Sequence, residues 1–170
     1  MLLSQESDMH HYSVRYHFSQ RFNAPASDVF EWATDYGPGD LALMVDGGGR
    51  SVKALSDDIV ILTDIFHGKG KGRITKEKLV RIYGERLFWT STHLTGPNRH
   101  SQFLYQIAQE GNDMSRLDFT GSQVFHDERE PSAQRIRSIA RTLTKEDSLA
   151  WRRLARAMEK DFSARHTRRT

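Results

Sequence analysis

Six β-patterned stretches crowd into residues 50–126, and a single long amphipathic helix follows them. That order constrains the chain more than any other feature. Residues 59–66 are rich in β-branched side chains. Residues 50–55, 73–83, 86–94, 100–109 and 114–126 read as further strands. Asp57-Asp58, the run Gly-Lys-Gly-Lys-Gly at 68–72, Gly84-Glu85, Gly96-Pro97-Asn98 and residues 110–113 separate them. Strands joined by turns this tight form an antiparallel meander. A sheet with one apolar face needs a cover. The final segment supplies it, with Ile136, Ile139, Ala140, Leu143, Ala150, Leu154, Ala157, Met158 and Phe162 recurring every three or four positions. Thr144 with Asp147 reads as a capping pair, which predicts a main helix starting near Thr144 after a shorter helical stretch.

Ahead of the meander, residues 12–22 alternate with period two: Tyr12, Val14, Tyr16 and Phe18 share one face. Pro25 and Asp28 suit a helix start, and Val29, Phe30, Trp32 and Ala33 give residues 25–36 an apolar stripe. Gly37-Pro38-Gly39 stops that helix, Asp40 can cap a second short one running to Val45, and Gly47-Gly48-Gly49 forms a flexible turn. One strand, two short helices, six strands and a long helix define an α+β class with about seven strands in one curved antiparallel sheet. Residues 1–11 read as a flexible tail, 12–166 as one domain and 167–170 as a basic end.

The stretch 18–36, Phe-Ser-Gln-Arg-Phe-Asn-Ala-Pro-Ala-Ser-Asp-Val-Phe-Glu-Trp-Ala-Thr-Asp-Tyr, resembles the opening of the START-like superfamily, also called SRPBCC, with its strand, Ala-Pro, helix and Asp-aromatic order. The resemblance extends over about residues 12–162. It implies the helix-grip fold, in which the sheet wraps the last helix around an apolar cavity. Members include lipid carriers, hormone binders, polyketide cyclases and quinone-binding chaperones, so the fold does not choose a function.

Other functions lose support from composition. The 170 residues contain no cysteine, which excludes disulfides and thiolate metal sites. His67, His93, His100 and His126 lie on or beside separate strands without ligand spacing, and His10-His11 falls in the tail, so neither metal nor cofactor is expected. The loop at 68–72 lacks the ending and the following helix of a phosphate-binding loop. Within the superfamily some loops gate the cavity, a role open to 68–72 or Gly47–Gly49. No nucleophile elbow is present, and Asp64, Glu77 and Asp118 are expected on the wet outer face. The first eleven residues lack the pattern of a signal peptide, and no apolar run spans a membrane, which points to the cytoplasm.

The helical stripe and the strand parities put Trp32, Trp89, Phe103, Tyr105, Phe119 and Phe125 inside, with His93, Tyr105 and Gln123 as convergent polar groups. The expected ligand-binding set is Trp32, Ile65, Trp89, His93, Phe103, Tyr105, Phe119 and Gln123, with Leu143, Ala150, Leu154 and Met158 from the helix. The leading reading is binding or transport of a small hydrophobic molecule, lipid-like, polyketide-like or quinone-like. One alternative is an enzyme of the polyketide cyclase or dehydratase kind, with His93 as general base and Tyr105 orienting the substrate. Another is a protein-interaction module, such as a homodimer, with a filled interior. Net charge is only +3, yet residues 132–170 carry eleven Lys/Arg against four Asp/Glu. That basic helix, through Arg152, Arg153, Arg156, Lys160, Arg165, Arg168 and Arg169, offers transient contact with an anionic membrane surface. No RNA-binding aromatic motif accompanies the charge, so nucleic acid is not expected.

Overall fold

A computed structural model of the chain describes residues 9–45, 47–68 and 72–167. Residues 1–8 of the expected tail, 69–71 of the glycine-rich loop and 168–170 of the basic end lie outside the described residues.

Strand β1 (His10–Phe22) is followed by helices α1 (Ala26–Thr34) and α2 (Asp40–Met44). Strands β2 (Gly49–Ser56), β3 (Ile59–Gly68), β4 (Gly72–Tyr83), β5 (Phe88–His93), β6 (Gln102–Gln109) and β7 (Ser115–Asp127) follow, and helix α3 (Ala133–Thr167) closes the chain. The seven strands form one sheet in the order β1-β7-β6-β5-β4-β3-β2, antiparallel throughout. The chain thus returns from β7 to pair with β1, while β2 forms the opposite edge with residues 51–58 exposed. This is the α+β helix-grip arrangement that the element order predicts.

Alternation works as read in β1: Val14 and Tyr16 are buried and their neighbours exposed. The strand begins two residues earlier than its apolar alternation, because His10 and His11 pair with Asp127 and His126 of β7. The His11 and His126 rings meet across that pairing, Nδ1 to Nδ1 at 2.6 Å. The helices α1 and α2 form where proline, glycine and acidic residues punctuate the chain. Asp40 does not cap α2; it is the first helical residue, and its carboxylate accepts the Gly37 N–H at 2.6 Å.

Two differences concern element limits. Strand β5 starts at Phe88 because Gly84–Arg86 closes a 3-10 turn and Leu87 takes a left-handed conformation, φ 50°, that cannot continue a ladder. Helix α3 is one continuous helix of 35 residues, without a start at Thr144. The Thr144 hydroxyl donates back to the Ala140 carbonyl at 2.9 Å, as a mid-helix threonine does, and Asp147 turns inward.

The core lies between the concave sheet face and α3. Phe22, Val29, Phe30, Val80, Trp89, Leu117, Trp151, Leu154 and Met158 form its larger part. Tyr16, Phe103 and Phe119 form a second aromatic group, against which Leu143 packs. Among the described residues no helix is long and apolar enough to cross a membrane.

Candidate functional site

The interior is not filled. A cavity of about 260 Å³ opens where α1, α2 and α3 face the sheet. A dry cavity on the order of 150 Å³ accepts benzene, so this one suits a ligand of roughly one or two rings.

Its walls are aromatic because each contributing element places a ring inward. Trp32 comes from α1 and Tyr36 from the turn after it, Trp89 from β5, Tyr105 from β6 and Trp151 from α3. Trp89 and Tyr105 oppose each other across β5 and β6 in the ladder, and their rings stack at 4.9 Å with planes 3° apart. Trp151 lies 5.8 Å from Tyr105 and 6.2 Å from Trp89. Burial raises the Tyr105 and Tyr36 hydroxyl pKa values, so both remain neutral donors at neutral pH. The Trp32 indole N–H donates to Asp161 of α3 at 3.1 Å, tying α1 to α3 beside the cavity.

Charge enters through three strands. Asp64 of β3, fully buried, accepts from Arg50 Nε at 2.6 Å and Nη2 at 3.0 Å, and from Lys78 Nζ at 2.6 Å. Arg50 of β2 and Lys78 of β4 both line the cavity. The ladder dictates this grouping, since Arg50 pairs with Asp64 across β2 and β3, and Lys78 pairs with Leu62, two residues along β3. Burial opposes ionisation of Asp64, but hydrogen bonds from Arg50 and the charge of Lys78 override it and hold the carboxyl below its usual range. Burial likewise lowers the Lys78 pKa, against the pull of Asp64. The expected wet outer face for Asp64 is therefore wrong. Val60, Leu62 and Asp64 share the inward parity, and two cations offset the acid's desolvation. Asp118 is partly exposed and pairs with Arg116, while Glu77 is half-buried and its backbone N–H donates to the Thr95 hydroxyl.

A second polar group lies among the aromatics of the core. The Tyr16 hydroxyl donates to Asp147 of α3 at 2.5 Å. Burial raises the Asp147 pKa. His93, at the end of β5, is buried with its ring 4.9 Å from Phe103. Desolvation, helped by the Lys78 and Lys76 ammonium groups, pushes its pKa down to about 4, so the imidazole is neutral.

Of the residues expected to bind a ligand, Trp32, Trp89, Tyr105 and Leu154 line the cavity. Phe103, Phe119 and Leu143 belong to the neighbouring aromatic group, and Met158 is sealed in the core. Ala150 is half-buried on α3 outside the cavity wall. Gln123 is half-buried opposite Val14, on the β1 side of the sheet. Ile65 follows Asp64 in β3 and so projects to the opposite face. His93 is buried outside the wall, so the structure does not bring it together with Tyr105.

Sequence reading missed Arg50, Lys78, Tyr36 and Trp151. Trp151 was within reach: Trp151, Leu154, Ala155 and Met158 follow the i, i+3, i+4, i+7 spacing of a helix face, and all four are buried. Lys78 shares its parity with Val80, but a lysine two residues before a valine carries no signal of burial by itself. Among the described residues no group of three His, Cys, Asp or Glu side chains is placed to hold a metal.

This arrangement, a curved seven-stranded sheet closed by a long terminal helix with a cavity between them, is the helix-grip fold. The sequence matches no protein-family model and no curated protein. Solved structures do match. The Zhui aromatase/cyclase of a Streptomyces species aligns with a TM-score of 0.70 at 12% identity, over 88% of this chain and 95% of that one. Norcoclaurine synthase from Thalictrum flavum, solved with dopamine and hydroxybenzaldehyde, aligns with a TM-score of 0.60 at 16% identity, over 91% and 88% of the two chains. Ara h 8.0201 aligns with a TM-score of 0.61 at 8% identity, over 87% and 99%.

Proposed function

We propose that this protein binds a small, largely apolar ligand carrying one or two rings in the cavity between the sheet and α3, as a carrier or sensor. The observation that carries this reading is the cavity itself: an unfilled space of about 260 Å³ walled by Trp32, Tyr36, Trp89, Tyr105 and Trp151. Natural cores pack to near-crystalline density, so a hollow of this size, partly open to solvent, among so many aromatic side chains is a feature to be accounted for. Ligand sites are mostly apolar hollows with a few placed polar groups, which describes this one. Each Å² of apolar ligand surface taken from water contributes about 25 cal/mol. The neighbouring structures support the same reading, since one is an aromatase/cyclase and another was solved with two ring-bearing compounds.

A catalytic reading of the cyclase kind has less support. Its proposed base, His93, is buried outside the cavity wall and does not meet Tyr105 there.

Native mass spectrometry of freshly purified protein, followed by denaturing extraction, tests the proposal together with titration of a fluorescent apolar probe. The expected result is a bound mass lost on denaturation, or saturable probe binding in its absence. A clean unliganded mass with no probe response overturns it.

A further inference from the structure

The ion cluster beside the cavity is not neutral. Arg50 and Lys78 carry two positive charges against one negative charge on Asp64, the only carboxylate in ion-pair contact with them among the described residues. The Arg50 side chain is 4% exposed and the Lys78 side chain 19%. Excess charge held largely out of water is costly unless something offsets it.

Donors are left over as well. Arg50 commits Nε and Nη2 to Asp64, and its Nη1 makes no hydrogen bond among the described residues. Lys78 uses one of its three N–H donors, on Asp64. Both side chains reach the cavity wall.

The other acids beside the cavity do not complete the balance. Asp161 accepts the Trp32 indole N–H, and Asp40 accepts the Gly37 N–H. Asp40 acts on Arg50, and Asp147, which accepts the Tyr16 hydroxyl, acts on Lys78, only through their fields and without contact, and Asp35 is exposed to solvent. Exposed acids are screened by water and salt, whereas a buried charge is not.

We propose that the cavity selects ring compounds bearing a single carboxylate, the anion lying against Arg50 Nη1 and Lys78 Nζ while the ring stacks among the indoles. This rests on the ligand-binding reading above and names the chemical class of the ligand. A carboxylate completes the charge balance and takes up the spare donors, and charge-assisted hydrogen bonds of this type are the strong ones.

The test compares naphthoic acid with naphthalenemethanol by titration calorimetry at neutral pH, on the full chain and on two variants. The two compounds share the ring and differ in the anion. On the unaltered protein the acid is expected to bind about tenfold or more tightly than the alcohol. Lys78→Met leaves Arg50 and Asp64 mutually neutral and is expected to bring the ratio close to one. Asp64→Asn removes the internal anion while keeping an acceptor, and is expected to raise the ratio. The paired readout, acid against alcohol on the same sample, separates selectivity from any general loss of fold. Equal binding of acid and alcohol by the unaltered protein overturns the carboxylate proposal and leaves the ligand-binding reading standing. A ratio unmoved by both variants overturns the assignment to this cluster. Binding of neither compound, joined with a clean native mass, overturns both readings.

Discussion

His93 shows how burial alone sets the chemistry of a side chain. Its ring lies against Phe103, and desolvation with two nearby lysines takes its pKa from 6.5 to about 4. The folded protein therefore holds His93 neutral where the unfolded chain binds a proton. Stability from this residue is fully present above pH 6.5 and is lost as pH falls through 6.5 toward 4. The loss approaches about 3 kcal/mol at the acid end. Urea unfolding midpoints of the parent and His93→Leu between pH 7 and pH 4 check this, and the variant is expected to have the shallower acid slope. Asp64 and Asp147 titrate in both proteins, so the difference between them isolates the histidine. Single residues are also where sequence reading reached least far. Asp64 carries the same alternation as Val60 and Leu62, but an acid on an apolar parity reads as the wet face unless its partners are known. Those partners, Arg50 and Lys78, lie fourteen residues away on either side, and only the pairing of three strands brings them together.

Elements were more legible, because turn residues and periodicity are local. The alternation of β1, the proline before α1 and the glycines around α2 each act within a few residues. The start proposed at Thr144 failed for a long-range reason. Asp147 is drawn inward by the Tyr16 hydroxyl of β1, a bond across 131 residues that no local pattern announces. Gly121 belongs to the same contact. It faces Tyr16 in the β1–β7 ladder, and a Cβ there would lie 2.6 Å from the Tyr16 ring. Gly121→Val is expected to push that ring off Asp147 and to destabilise the fold by about 1–3 kcal/mol, the range typical of overpacking. Gly111, where a Cβ would meet nothing within 4 Å, serves as the control, and Gly111→Ala is expected to be near neutral in the same thermal or urea unfolding series.

At the scale of the whole molecule the order of elements sufficed. An opening strand, two short helices, a meander and one long amphipathic helix leave few ways to bury a single apolar sheet face. What that order did not reveal is how the layers are fastened beside the cavity. The bond from Trp32 to Asp161 joins the first helix to the last across 129 residues. Breaking it with Asp161→Ala is expected to speed release of a bound ring compound about fivefold, consistent with about 1 kcal/mol for one exposed hydrogen bond. Stopped-flow displacement measures that rate, and the melting temperature is expected to fall by no more than about 2–4 °C, the shift that about 1 kcal/mol produces in a chain of this size.

The chain has three tryptophans, and all three stand on the wall of this one cavity. Its indole emission therefore originates entirely at the site, with no tryptophan elsewhere to dilute it. A guest that excludes water from those rings shifts the emission to the blue, and one that absorbs in the near ultraviolet drains it by energy transfer. The protein is thus its own unlabelled optical sensor, and candidate guests can be ranked by the colour of its light.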